Sequence, residues 1–135
     1  KADVANAIEY IRALAVESPV SDRPTHTVAL AFAGAGMPVT AALALVLPVL
    51  IHGGAVTLVP HKDAPSCALA MAELCGQCGL PDGLLNVVYV DDVVAQQLLV
   101  EQHPLLLRLM GPSTWAQRWQ AVALGHEVPC ERVLA

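Results

Sequence analysis

The sequence predicts an α/β fold, in which a doubly wound, mainly parallel sheet of about five strands carries helices on both faces. Three observations lead to this prediction. Apolar residues make up 56% of the 135 residues and charged residues only 14%, so most elements are buried on more than one side, as in a parallel sheet covered by helices. Residues 53–90 have the pattern of a strand, a helix and a second strand. The same alternation precedes and follows that segment.

Residues 53–90 predict a βαβ unit. Residues 56–59 are β-prone, and Pro60 ends their run because proline has no N–H for a strand ladder. Pro65 suits the first turn of a helix, which apolar spacing extends to Gly79. The apolar residues with this spacing are Leu69, Met71, Leu74 and Cys75. Residues 79–83 are typical of a turn, and residues 84–90 predict the next strand, parallel to the first with a right-handed crossover.

The segment before this unit predicts a helix, a linker, a strand and a second helix. Residues 2–15 form the first helix, with Val4, Ile8, Ile11 and Ala15 on one face. Residues 18–24 are a polar, proline-containing linker, so we divide the chain into residues 1–24 and 25–135. Residues 27–33 predict a strand, and glycines at 34 and 36 allow a tight turn into a helix from Pro38 to about Ile51.

The segment after the unit continues the alternation. Residues 91–102 predict a helix with Val93, Leu98 and Leu99 facing inward, and His103-Pro104 ends it. Residues 105–110 predict a further parallel strand. Residues 111–114 form a turn, and the helix after it carries Trp115, Trp119 and Val122.

Charge and composition exclude several classes of partner. A net charge of −5 with only seven Lys and Arg argues against a nucleic-acid surface. Residues 27–60 have no Asp, Glu, Lys or Arg, which raises the alternative of a transmembrane helix, but glycines and prolines cut this run into short pieces. We therefore expect no membrane span. The chain begins with Lys1, followed by an amphipathic helix, which indicates an excised or processed piece without a secretory signal.

The cysteine pattern predicts neither a metal site nor disulfides. Cys75 and Cys78 form the one CxxC pair, and no second pair lies at zinc-ligand spacing. Cys67 and Cys130 are isolated. We interpret all four as small apolar residues in a reducing intracellular compartment such as the cytoplasm.

Several motifs together resemble the cofactor domain of the aldehyde dehydrogenase superfamily. Residues 59–65 (Val-Pro-His-Lys-Asp-Ala-Pro), the helix at 68–74 and residues 79–88 (Gly-Leu-Pro-Asp-Gly-Leu-Leu-Asn-Val-Val) are similar to its Lys-Pro-Ser-Glu-x-x-Pro loop, helix and Gly-Leu-Pro-x-Gly-x-x-Asn-Val-Val turn. Met37-Pro38 resembles its Phe-Pro, residues 48–54 its Pro-Ala-Leu-x-x-Gly-Asn, and residues 111–113 its Gly-Ser-Thr. Leu124-Gly125 with Pro129 resembles its Glu-Leu-Gly-Gly-Lys-x-Pro strand. The resemblance spans residues 32–129 and implies a Rossmann-like, NAD(P)-binding domain.

The departures from this family pattern fall on its chemistry. Gly36 stands where the family has an Asn that helps form the oxyanion hole, and Val59 where a Lys holds the adenosine ribose. The general-base Glu corresponds to Ala123 in this alignment. The family's nucleophilic Cys lies beyond the end of this chain, and Cys130 is too close to that position to be its counterpart. The resemblance thus implies no catalytic residue here.

Two functions follow from the resemblance. The leading one is a non-catalytic domain that acts as a scaffold or interface, as do inactive modules of some large members and of some proline-catabolic enzymes, with a partner domain or subunit covering its apolar helices. The alternative is a genuine NAD(P)-binding domain of a divergent aldehyde-oxidising enzyme whose catalytic domain lies outside this chain.

A cofactor would lie at the carboxyl ends of the parallel strands. The residues that would line that crevice are Ala33, Gly34, Gly36, Val59, Pro60, His61, Lys62, Gly111 and Ser113. Lys62 stands where the family often has a Glu that repels a 2′-phosphate, which favours NADP over NAD. Because Val59 cannot hold the ribose as the family's Lys does, we expect binding to be weak or absent. The simpler interpretation, that Lys62 and His61 are solvated loop residues, stays open.

Overall fold

Strands and helices alternate along the whole described chain. The computed structural model describes residues 2–17 and 27–133, within which five helices alternate with five strands. The helices are α1 (Ala2–Glu17), α2 (Pro38–Ile51), α3 (Pro65–Gln77), α4 (Asp92–Gln102) and α5 (Ser113–Gly125). The strands are β1 (Val28–Ala33), β2 (Ala55–Val59), β3 (Leu85–Val87), β4 (Leu106–Met110) and β5 (Cys130–Arg132). The predicted linker at residues 18–24 lies outside the described residues.

All five strands form one parallel sheet in the order β3-β2-β1-β4-β5. In the strand register, Phe32 of β1 is paired with Val59 of β2 on one side and with Leu109 of β4 on the other. From β1 the chain first builds outward to β2 and β3, then returns to add β4 and β5 on the opposite side. The predicted doubly wound α/β fold is confirmed, and its switch point lies between β1 and β4.

Each face of the sheet has its own hydrophobic core. On one face α2 and α3 pack over alternate strand residues such as Ala31 and Leu58. On the other face α4 and α5 pack over the intervening strand residues, whose side chains point the opposite way, such as Phe32 and Leu109. Because both faces are covered, the central strands are nearly continuous apolar runs, which explains the low charge content of the sequence.

Some predicted elements and orientations differ from the structure. β3 covers only residues 85–87, and residues 88–90 form an open loop towards α4. The pattern predicts that Val93 faces inward, but Val93 lies in the first turn of α4 and is 68% exposed, so Ala95 and Leu99 form the inner face. Leu69 and Leu74 of α3 also lie at the surface. The residues buried from that helix are Ala68 and Met71.

The strand predicted around Leu124-Gly125 is also placed wrongly. Leu124 and Gly125 are the last residues of α5, and Leu124 is 80% exposed. The fifth strand begins at Cys130 and pairs with β4. The helical pattern of residues 113–122 continues for one further turn, so the strand is displaced towards the C-terminus.

Helix α1 is anchored by a carboxylate that caps another helix. α2 has no side-chain cap of its own at Met37. The backbone N–H groups of Val39 and Thr40 donate to the Asp3 carboxylate at 2.7 and 2.9 Å, and the Thr40 hydroxyl donates to the Asp3 carbonyl at 3.0 Å. Burial opposes ionisation of Asp3, but these hydrogen bonds outweigh it and lower its pKa. Asp3 thus satisfies donors that would otherwise be unpaired at the start of α2.

A buried arginine joins β4, β5 and the middle of α2. Arg108 is 9% exposed, and its Nη2 and Nε donate to the carbonyls of Ala44 and Leu45 at 3.0 and 3.1 Å. Pro48 inside α2 has no N–H for the Ala44 carbonyl, so the guanidinium replaces that missing donor. The Arg108 Nη1 also pairs with the Glu131 carboxylate of β5. One cation therefore compensates for the proline in α2 and attaches the edge strand.

We expect Asp3→Ala to lower the free energy of unfolding by about 1 kcal/mol at neutral pH, the usual cost of losing a helix cap. Because the folded-state pKa of Asp3 is lowered, its contribution is complete above the ordinary carboxyl pKa and is lost as the pH falls through the folded value. Urea denaturation at several pH values measures this difference. Glu9→Ala, at an exposed site of the same helix, is the control. A difference that persists unchanged at about pH 2 would contradict the capping role.

We expect Arg108→Leu to lower the free energy of unfolding by about 2–4 kcal/mol, because the Ala44 and Leu45 carbonyls lose their charged donor. Arg118→Leu is the matched control, since Arg118 pairs with Asp92 at the surface, where the two side chains are 58% and 70% exposed. That control should change stability by about 0.5 kcal/mol or less. Equal effects of the two substitutions in chemical denaturation would show that the buried contacts of Arg108 contribute no more than a surface ion pair.

Candidate nucleotide-binding crevice

A cavity lies at the carboxyl ends of the strands, between the sheet and the α4 and α5 side. Its volume is about 780 Å³, within the range of small-molecule sites. The lining comes from the ends of β1 and β2 and from the loops that precede α4 and α5. This is the edge at which doubly wound sheets bind ligands.

An aromatic contact forms the floor of the crevice. The rings of Phe32 and Trp119 meet edge to face with centroids 4.6 Å apart, and both residues are buried. Val59 and Ala95 complete this apolar floor. The strand β1 and the helix α5 are thereby fixed relative to each other beneath any bound group.

The loop after β2 forms one wall and is tied to the loop after β3. The Tyr89 hydroxyl donates to the carbonyl of Lys62 at 2.6 Å. Within the first loop, the backbone N–H of Asp63 donates to Nδ1 of His61 at 3.2 Å, so Nδ1 acts as an acceptor. These hydrogen bonds shape the segment 60–63 beside the cavity.

The charges around the crevice are partly compensated. Asp91 caps α4 by accepting a hydrogen bond from the N–H of Val94 at 2.9 Å. Asp92 pairs with Arg118 at 3.1 Å. Within residues 2–17 and 27–133, no ion pair involves Lys62, which is exposed at the mouth of the cavity. Lys62 is thus the cation available to an anionic group entering from the β2 side.

An indole covers the switch point of the sheet. The Gly34 N–H donates to the Met110 carbonyl at 2.8 Å, which joins the ends of β1 and β4. A Cβ atom built on Gly34 would lie 2.9 Å from Cδ2 of Trp115, and one built on Gly111 would lie 2.7 Å from its Cε3. Trp115 therefore lies directly on the backbone of these two glycines.

The structure brings together five of the nine predicted crevice residues. Ala33, Val59, Pro60, His61 and Lys62 line the large cavity. Gly34 is buried under Trp115 and lines a smaller neighbouring cavity. Gly36, Gly111 and Ser113 are exposed and do not line the large cavity.

Sequence reasoning missed most of the opposite wall. Tyr89, Asp91, Asp92, Thr114 and Trp115 line the cavity from the loops and first turns of α4 and α5. The sequence does indicate that these residues lie near strand ends, because each follows a strand by only a few residues. Whether they line the same cavity depends on how α4 and α5 cross the sheet.

The structure also shows where the predicted counterparts of the family's catalytic residues lie. Gly36 lies in the β1–α2 turn with a φ of +137°, which favours glycine, and it has no side-chain donor. Ala123, the predicted counterpart of the general base, is fully buried within α5. The carboxylate on β5 is that of Glu131, which pairs with Arg108.

The cysteines form no disulfide among the described residues. Cys130 is half-buried on β5, and burial raises the pKa of its thiol, which makes it a weaker nucleophile at neutral pH. Burial also raises the pKa of Cys75. In the described part of the chain, no three His, Cys, Asp or Glu side chains are grouped to hold a metal ion.

The uncharged segment, residues 27–60, forms β1, α2 and β2 with their connections. None of the described helices has the length and apolarity that a bilayer crossing requires.

Comparison with known proteins gives consistent results. The sequence profile described as the aldehyde dehydrogenase family matches residues 9–123. A betaine aldehyde dehydrogenase of Vibrio vulnificus is 38% identical over 72 residues, which are 53% of this chain and 14% of that protein. A 3,6-anhydro-alpha-L-galactose dehydrogenase of Streptomyces coelicolor is 54% identical over 43 residues, which are 32% of this chain and 9% of that protein. The chain thus spans a small part of the curated relatives that it matches.

Solved structures share the fold. The structure of a Mycobacterium tuberculosis aldehyde dehydrogenase complexed with NAD+ superposes with a TM-score of 0.76 at 22% identity, over 96% of this chain and 29% of that chain. An aldehyde dehydrogenase of Brucella melitensis superposes with a TM-score of 0.73 at 20% identity, over 82% of this chain and 23% of that chain.

Proposed function

The chain belongs to the aldehyde dehydrogenase family, and from that membership we propose that it is a nucleotide-binding domain that does not itself oxidise aldehydes. The observation that carries the proposal is the crevice of about 780 Å³ at the carboxyl ends of the strands. Its apolar floor suits an adenine ring, and backbone groups at strand ends bind phosphates independently of side-chain identity. Lys62 at its mouth adds one charge-assisted contact for an anion.

The absence of turnover in this chain is supported by three positions. Gly36 has no side-chain donor for an oxyanion, and loss of such a donor costs about 2.7–4 kcal/mol of transition-state stabilisation. Cys130 is half-buried with a raised pKa. Ala123, the predicted counterpart of the family's general base, is buried in α5 and has no ionisable side chain. The activity of a complete enzyme would require a nucleophile from elsewhere.

We expect the 135-residue chain to show no NAD(P)-dependent aldehyde oxidation and no ester hydrolysis. Gly36→Asn should not produce either activity, because an oxyanion donor without a nucleophile stabilises no covalent intermediate. Spectrophotometric assays of cofactor reduction and of nitrophenyl ester cleavage measure both. Turnover that is abolished by alkylation of Cys130, and by Cys130→Ser, would show that Cys130 is a nucleophile after all.

A scaffold function is the second candidate, and one observation favours it. Val4, Ile8 and Ile11 form an apolar stripe along α1, and they are 50%, 46% and 43% exposed. This spacing of three or four residues is that of a helix face which packs against another element. In a longer protein or an oligomer, a partner domain or subunit would cover the stripe while the crevice stays accessible.

The cofactor preference is expected to follow Lys62. A dinucleotide with its adenosine ribose over the end of β2 would bring a 2′-phosphate close to this cation, whereas Val59 offers the ribose no hydrogen bond. A charge-assisted hydrogen bond contributes about 1.5–3 kcal/mol when well formed and less at an exposed site. We therefore propose weak binding with roughly a tenfold preference for NADP over NAD.

Lys62→Glu should erase the NADP preference and leave NAD affinity nearly unchanged, because only NADP presents a 2′-phosphate. Titration calorimetry with both dinucleotides at low and high salt measures the effect, and salt should weaken the wild-type preference. Lys62→Gln separates loss of the cation from introduction of a carboxylate. Equal affinity of the wild type for the two dinucleotides would remove any role of Lys62, and no heat with either would leave the scaffold function as the remaining candidate.

A further inference from the structure

The two glycines at the switch point are not required by their own backbone angles. Neither Gly34 nor Gly111 has a positive φ, in contrast to Gly36. What excludes a side chain there is proximity: a Cβ atom on Gly111 would lie 2.7 Å from the Trp115 ring and 2.9 Å from Cα of Gly34. Positions 34 and 111 therefore require glycine because the indole packs directly against the two backbones.

This use of glycine differs from that in dinucleotide-binding sheets. There, glycine in the turn after the first strand lets a pyrophosphate approach the backbone at the switch point. Here Trp115, from the first turn of α5, lies against the two glycine backbones at this surface, and Gly34 is buried beneath it. An entering pyrophosphate would meet the indole before it met the backbone N–H groups.

The space for a ligand adjoins the indole. The cavity is lined by Trp115, by the end of β1 and by the β4–α5 loop, and it continues over the end of β2 to the first turn of α4, past Lys62, Tyr89 and Val93. In doubly wound sheets, the end of the second strand is where the adenosine ribose binds. The open part of the crevice thus matches one half of a dinucleotide.

We propose that Trp115 closes the switch-point end of the crevice and limits nucleotide recognition to the adenosine half, so that a dinucleotide binds no more tightly than the matching adenosine mononucleotide. This inference rests on the proposed nucleotide binding and specifies its substrate class. The indole face confines the ligand to the space between Trp115 and Lys62. The nicotinamide half of NADP would then remain in solvent and contribute nothing to affinity.

Titration calorimetry of the chain with adenosine 2′,5′-bisphosphate, AMP, NADP and NAD tests the proposal. The wild type should bind the bisphosphate and NADP with affinities within about threefold of each other. Trp115→Val should strengthen NADP binding by about tenfold and leave bisphosphate binding within about twofold, because removing the indole exposes the glycine pair. Trp115→Phe should give an intermediate gain and provides the test if the valine variant does not fold.

Leu124→Val is the matched control, since Leu124 lies on the same helix, is 80% exposed and does not line the cavity. It should leave all four affinities unchanged. Wild-type binding of NADP at least tenfold tighter than the bisphosphate, or an unchanged ratio in both Trp115 variants, would overturn the role of Trp115 while nucleotide binding stands. Failure of the wild type and of both Trp115 variants to bind any of the four nucleotides would overturn both proposals.

Discussion

The guanidinium of Arg108 is the contact on which the arrangement of the sheet and α2 depends. An arginine on an interior strand is costly unless every donor is paired. Here its donors reach the Ala44 and Leu45 carbonyls and the Glu131 carboxylate. Pro48 leaves the Ala44 carbonyl of α2 without its helical donor, and the Arg108 guanidinium donates to that carbonyl instead. The unpaired carbonyl and the buried charge would each be unfavourable alone.

This compensation fixes the position of the whole α2 side. α2 is apolar around most of its circumference and buries Ala44, Leu45 and Val46 completely, so packing alone specifies its rotation weakly. The polar contacts with Arg108 in its middle and with Asp3 at its start define its rotation and its depth. β5 is a three-residue edge strand, and its attachment to β4 is reinforced by the Arg108–Glu131 pair.

The crevice side is organised by small residues and aromatic rings. Phe32 and Trp119 meet beneath the cavity, and Trp115 lies against the backbones of Gly34 and Gly111 at its end. A parallel sheet leaves its strand ends open where the chain reverses direction, and in this protein a side chain from α5 occupies part of that opening.

The amino-acid sequence alone predicts the fold class, most element positions and the family. Apolar runs, turn glycines and the segment at 79–88 are local patterns, and a local pattern can be recognised without knowledge of the fold. The end of α5 could not be predicted from local sequence, because residues 123–125 can extend the helix as well as begin a strand. The predicted burial of Val93 is wrong for a related reason, since the rotation of a helix about its axis depends on the elements against which it packs. The contacts of Arg108, Asp3 and Trp115 join residues that are far apart in the chain, such as Asp3 with Val39 and Gly34 with Trp115. Only the tertiary structure decided these contacts, because they exist only once the sheet has brought distant segments together.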